Sequence, residues 1–138
     1  MRKILFKGKR IDDGEWVEGF YGELLAVDGK KTRSFILVET VSFQGRFINF
    51  YFTDIEVDPE TVSQFTGLSD KNGKEIFEGD KIKCKNYHGK VEGHIDYHFS
   101  YFYLSCSSGY SDEYLFNCKD FEIIGNIHDN KELLEASK

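Results

Sequence analysis

The sequence predicts an all-β protein: a small antiparallel barrel or sandwich with an additional N-terminal β lobe and a short C-terminal helix. Three observations predict it. Apolar and polar residues alternate with period two along most of the chain, the spacing that sends successive side chains to opposite faces of a strand. Turn formers punctuate the alternation at short intervals, as at Asn72-Gly73 and Glu78-Gly79-Asp80. Aromatic residues, which suit a pleated and half-buried surface, are abundant: 13 Phe, 8 Tyr and 1 Trp in 138 residues.

The elements follow in order. Residues 16–25 read as a long strand in which glycines mark bulges or bends. Asp28-Gly29 is a hairpin turn signal, because both central residues of a type I′ turn need positive φ. Residues 34–39 and 47–52 are short strands rich in β-formers, and residues 54–58 alternate acid with aliphatic. Pro59 interrupts and is expected to start a strand, with an extended pattern over residues 61–65. Beyond the two later turns, residues 81–85, 91–95, 99–104 and 121–127 complete the strands. Asp129 or Asn130 is placed to cap a helix over the last residues, where Leu133, Leu134 and Ala136 are good helix formers.

One unit spanning residues 1–138 is expected. Its parts are an N-terminal β lobe over about 1–66, a small β-barrel over about 67–128, and a helix over 129–138. No Ser/Gly-rich linker separates the lobes, so packing between them is expected.

Charge and cysteine content narrow the setting. The chain carries a net charge of −6, and both halves are acidic. Non-specific nucleic-acid binding draws on counterions released by Lys and Arg, so an acidic chain disfavours it, as it disfavours anionic membranes. Cys84, Cys106 and Cys118 are odd in number and form no CxxC, which is not a disulfide framework. The basic start lacks the apolar stretch of a signal peptide, and no run approaches the ~18 apolar residues of a membrane helix. A cytoplasmic setting with free thiols is expected.

Residues 58–80 carry a specific resemblance. Asp58-Pro-Glu-Thr-Val-Ser-Gln-Phe-Thr-Gly-Leu-Ser-Asp-Lys-Asn-Gly-Lys-Glu-Ile-Phe-Glu-Gly-Asp80 resembles the central signature of the YopX family. Lys7-Gly-Lys-Arg10 with Gly14-Glu-Trp-Val-Glu-Gly19 is similar to the family's opening. Glu122-Ile-Ile-Gly-Asn-Ile127 with Asn130-Lys-Glu-Leu-Leu134 is similar to its close. The resemblance covers nearly the whole chain. It implies an all-β protein carried by phages and prophages of Gram-positive bacteria, with no established activity and no catalytic residues to carry over. The signature also has a purely structural reading, with turn formers at Asn72-Gly73 and Gly79-Asp80 and core residues at Ile76, Phe77 and Ile82.

Candidate chemistry is sparse. Cys84, His88, His94 and His98 form a string that resembles a metal site, but residues four apart on a strand lie about 13 Å apart, too far for one zinc. No metal and no cofactor is expected. Asp54, Glu56, Asp58 and Glu60 alternate onto one strand face. A small enzyme with a site at Glu56 and Asp58 is one reading; a solvated face is the other. Asp70, Asn72 and Gly73 read as a hairpin turn rather than a calcium loop. Lys81, Lys83, Lys85 and Tyr87 combine charge with a stacking ring, the pattern of a single-stranded nucleic-acid site, although lysines also protect edge strands. No serine or cysteine lies in a nucleophile motif and no phosphate-binding loop occurs, so no catalytic residue is assigned and no enzyme is expected.

The aromatic segments carry more. In residues 47–52, Ile48, Phe50 and Phe52 share one face and Phe47, Asn49 and Tyr51 the other; in 101–104, Tyr101 and Tyr103 alternate with Phe102 and Leu104. An antiparallel strand normally buries one face, so something must cover the second. One reading is coverage within the chain, by packing between the lobes or by the C-terminal helix. The other is a homo-oligomer interface through Phe50, Phe52, Tyr101 and Tyr103. The function expected is that of a phage or prophage accessory protein acting by binding and homo-oligomerisation, with a host or phage protein as a further partner.

Overall fold

The computed structural model describes residues 2–25, 29, 32–106 and 112–129. The expected C-terminal helix, and Asp28 of the first turn signal, lie outside the described residues. Among those described, strand dominates and helix is confined to two single 3-10 turns. No helix is long and apolar enough to cross a membrane. The chain divides into two compact units at Gln64/Phe65.

The first unit is built on an antiparallel sheet. Its strands are β1 (Phe6–Lys9), β2 (Trp16–Leu25), β3 (Thr32–Gln44) and β4 (Phe47–Val57). Consecutive strands are neighbours, and β4 is the edge strand. At the other side, Ser63 and Gln64 at the start of β5 (Ser63–Ser69) pair with Lys7 and Phe6 of β1. Ile36 and Val57 lose all contact with solvent. Each burial of that kind stabilises by roughly 1.5–3 kcal/mol.

Two local expectations change here. Residues 47–52 and 54–58 are not separate strands: β4 runs unbroken to Val57 because all eleven of its residues pair with β3. Pro59 does not start a strand. It opens a 3-10 turn, Pro59–Thr61, where its missing N–H costs nothing, and Asp58 caps that turn by accepting from the Glu60 N–H at 3.0 Å. Thr61 pins the turn to β1, accepting from the Lys9 N–H at 2.8 Å and donating to the Asp58 carbonyl at 2.7 Å.

The second unit begins with the remainder of β5, whose Phe65 and Ser69 pair with β6 (Glu75–Phe77). A five-stranded antiparallel sheet follows, in the order β10-β9-β8-β7-β11. Its strands are β7 (Asp80–Asn86), β8 (Gly89–His98), β9 (Tyr101–Cys106), β10 (Glu113–Tyr114) and β11 (Lys119–Asn126). The all-β class and the antiparallel pairing are as the sequence predicts. Among the described residues no pairing closes these five strands into a barrel. Ile76, Ile82, Cys84, Val91, Ile95 and Leu104 form the core, with Phe102, Leu115, Phe121 and Ile123 packed against it.

Two buried carboxylates of the signature hold this unit together. Asp80 accepts from the Phe77 N–H at 2.8 Å and from the Asn126 side-chain amide at 3.0 Å. Asp70 accepts from the N–H groups of Asn72 and Lys74, both at 2.9 Å, closing the turn expected at Asn72-Gly73. Its second oxygen lies 3.4 Å from the Ile123 N–H of β11. In this unit the signature therefore specifies turns and their anchors.

Candidate functional site

The β3–β4 hairpin is the first unit's main surface feature. Residues 32–37 of β3 pair with β2, whereas residues 34–44 pair with β4. Beyond Leu37 the hairpin is therefore a two-stranded ribbon. It closes through Gly45-Arg46, with Gly45 at φ 62°, a conformation open to glycine at no steric cost.

Directly opposed residues project from the same face of a sheet, so the register sorts the ribbon's side chains. Phe43 opposes Ile48, Val41 opposes Phe50 and Glu39 opposes Phe52, all on one face. Gln44, Ser42 and Thr40 oppose Phe47, Asn49 and Tyr51 on the other. The first face is apolar and the second largely polar. Phe20 of β2, opposite Leu37, extends the apolar face and meets Phe52 edge to face at 6.0 Å. These side chains are exposed: Phe43 74%, Phe50 67%, Phe52 59%, Ile48 54%, Phe20 53% and Val41 43%. Nearer the hairpin's base, the opposite face carries the buried Ile36 and Val57. On the apolar face itself, Phe35, two residues before Leu37, is buried as well, so the exposed apolar surface is that of the ribbon beyond the hairpin's base, extended by Phe20.

Phe50 and Phe52 accordingly stand in the open. Tyr101 and Tyr103 are placed otherwise. Tyr103 is only 9% exposed, and its ring packs on His98 at 4.4 Å and Tyr101 at 5.9 Å. Half-buried Tyr101 also meets Tyr114 at 5.5 Å. The second unit covers these two rings with its own side chains.

The lysine row lies along the outer face of β7, while Ile82 and Cys84 point into the core. Lys81 is half-buried; Lys83 and Lys85 are exposed, and Tyr87 in the β7–β8 turn is 91% exposed. Acids line the neighbouring strands. Lys83 reaches Glu92 at 3.5 Å, Lys85 reaches Asp120 at 3.8 Å, and Lys71 reaches Glu122 at 3.1 Å. Together these residues, with Lys90, line an open cleft of about 760 Å³. Three acids offset three of its four lysines, which weakens its pull on a polyanion.

The acidic residues of β4 do not converge. Arg33 donates to both oxygens of Glu56, at 2.8 and 3.0 Å, and holds that carboxyl below its ordinary range. Asp58 is occupied as the cap of the 3-10 turn. Both carboxylates thus have structural partners.

The Cys84, His88, His94 and His98 string is also dispersed. Cys84 is in the core, His88 lies exposed in a turn, and His98 stacks on Tyr103. Among the described residues, no three His, Cys, Asp or Glu side chains are placed to hold a metal ion. The core instead gathers the three thiols. Cys106 and Cys118 pack against the cluster that holds Cys84. Burial, reinforced by the neighbouring Cys118, pushes the Cys84 thiol up to about 12, and burial raises the other two as well.

Sequence reasoning missed the length of the ribbon and the contribution of Phe20, Val41 and Phe43. The signal was present: Gly45-Arg46 is a two-residue Gly-X loop between alternating segments.

No curated protein matches the chain. Among solved structures, the fold resembles the crystal structure of protein EF1440 from Enterococcus faecalis, with a TM-score of 0.58 and 23% identity over 97% of this chain and 99% of that one. At that identity the likeness speaks for the fold. The family model described as YopX protein matches residues 6–135. That match spans nearly the whole chain, and the chain belongs to the YopX family.

Proposed function

We propose that this chain is a phage or prophage accessory protein of the host cytoplasm, acting by binding and self-association rather than by catalysis. One observation carries the reading: the apolar face of the β3–β4 ribbon, extended by Phe20, presents six apolar side chains, each 43–74% exposed. Water penalises such a patch, and monomers rarely leave one uncovered. A second copy is the cover available to every molecule of this chain; a host or phage protein is a further partner in the same reading. The ionisable groups favour it as well, because Glu56, Asp58, Asp70 and Asp80 are each engaged in structural bonds. Light scattering across a chromatography peak tests it. An assembly heavier than 16.0 kDa is expected, and a monomer at micromolar concentration overturns it.

The exposure of Tyr87 beside the lysines favours a second reading, single-stranded nucleic-acid binding through Lys81, Lys83, Lys85 and Tyr87. Affinity for single-stranded DNA that falls steeply with salt is its signature. Absence of binding at low salt rejects it.

A further inference from the structure

Resting on the self-association reading, we propose that two copies pack their β3–β4 ribbons face to face and antiparallel. The two-fold axis crosses the strands at Phe50, so that Arg46 of each copy meets Asp54 of the partner subunit.

The register supplies the geometry. On the apolar face of β4, Ile48, Phe50 and Phe52 are followed by Asp54, and Arg46 lies at the ribbon tip. Phe50 is the midpoint of the series. Asp54 follows it by four residues along β4, about 13 Å, and Arg46, in the turn immediately before β4, lies beyond Ile48 and Phe47 on the other side. An antiparallel copy centred on Phe50 therefore sets Ile48 over Phe52 and the guanidinium over the carboxylate. Both Arg46 and Asp54 are exposed. On β3 the same operation centres on Val41, which opposes Phe50, and brings Arg46 within one step of Glu39, the only acid inside the apolar patch. A parallel arrangement instead sets arginine over arginine and Asp54 over Asp54.

Area points to the same occupant. The six apolar side chains expose on the order of 600 Å², at the upper end of the largest patches monomers carry. That approaches the ~800 Å² each partner contributes to a standard interface. One face is apolar and its reverse largely polar, so a single facing copy satisfies it, and a two-fold contact uses the same patch twice.

A charge swap tests the pairing. Arg46→Glu and Asp54→Lys are each expected to raise the dimer dissociation constant roughly tenfold, since two like-charge contacts replace two pairs. Combining them is expected to restore it to within roughly threefold of the unaltered chain. Both positions are exposed, so circular dichroism is expected to be unchanged. Dimers indifferent to either single substitution, or not rescued by the double, overturn this pairing and leave self-association standing. A monomeric unaltered chain overturns both.

Discussion

Phe20 and Phe52 meet edge to face, their rings 6.0 Å apart and 78° from parallel, although β3 lies between the strands that carry them. Both rings stay more than half exposed. The contact joins the ribbon's apolar face to the body of the sheet and makes one surface of side chains from three strands. Such a ring pair contributes about 0.5–1.5 kcal/mol beyond its buried area, too little to account for two large exposed rings. The proposed self-association would account for them.

Phe50→Ser is therefore expected to abolish or greatly weaken assembly while leaving the fold intact. An exposed side chain contributes little to monomer stability, typically within about 0.5 kcal/mol. Sedimentation velocity and far-ultraviolet circular dichroism check the two halves of this expectation. A variant that assembles like the unaltered chain refutes the placement of the interface.

Asp80 and Asn126 test the structural role of the signature. They lie 46 residues apart, both are buried, and their side chains bond at 3.0 Å. Asp80→Ala removes a buried acceptor shared by the Phe77 N–H and the Asn126 amide. A loss of about 2–4 kcal/mol is expected from the two lost buried bonds. Urea unfolding measures it, and a loss below about 1 kcal/mol contradicts the anchoring role.

Asp70 gives a pH dependence of definite sign. Burial pushes its carboxyl up, but the N–H groups of Lys74, Asn72 and Ile123 together outweigh burial and hold it below the ordinary 3.8. A carboxyl whose folded value is depressed contributes stability that is present above the unfolded value and lost as pH falls through the folded one. Acid unfolding below about pH 4 is therefore expected to be shallower in Asp70→Asn than in the unaltered chain. Parallel curves refute it.

Cys84 is expected to resist alkylation at pH 8 in the folded chain, because a thiol pushed up to about 12 holds almost no thiolate there. Maleimide labelling followed by peptide mapping checks it. Denaturant should release the reactivity, and fast labelling of native Cys84 contradicts its place in the core.

The period-two pattern made the strands legible because strand faces differ in burial, as on β7, where lysines alternate with Ile82 and Cys84. It was weakest where both faces are exposed. Beyond Leu37, β3 carries Thr40, Ser42 and Gln44 against Val41 and Phe43, and no core reinforces the alternation. The turn at Phe99-Ser100 was illegible for another reason. Both residues take positive φ, 49° and 71°, with no glycine or asparagine to mark it. The alternation of residues 99–104 instead has the pattern of a strand. The aromatic surface was visible in part at Phe50 and Phe52, but Phe20 joins it only through the register of three strands.

The mass of the intact chain in solution, compared with that of Phe50→Ser, is the most direct measurement. Self-association through the apolar ribbon face requires the unaltered chain to sediment as a multiple of 16.0 kDa and Phe50→Ser to fall to a single copy. An unaltered chain that stays at 16.0 kDa throughout the micromolar range contradicts it.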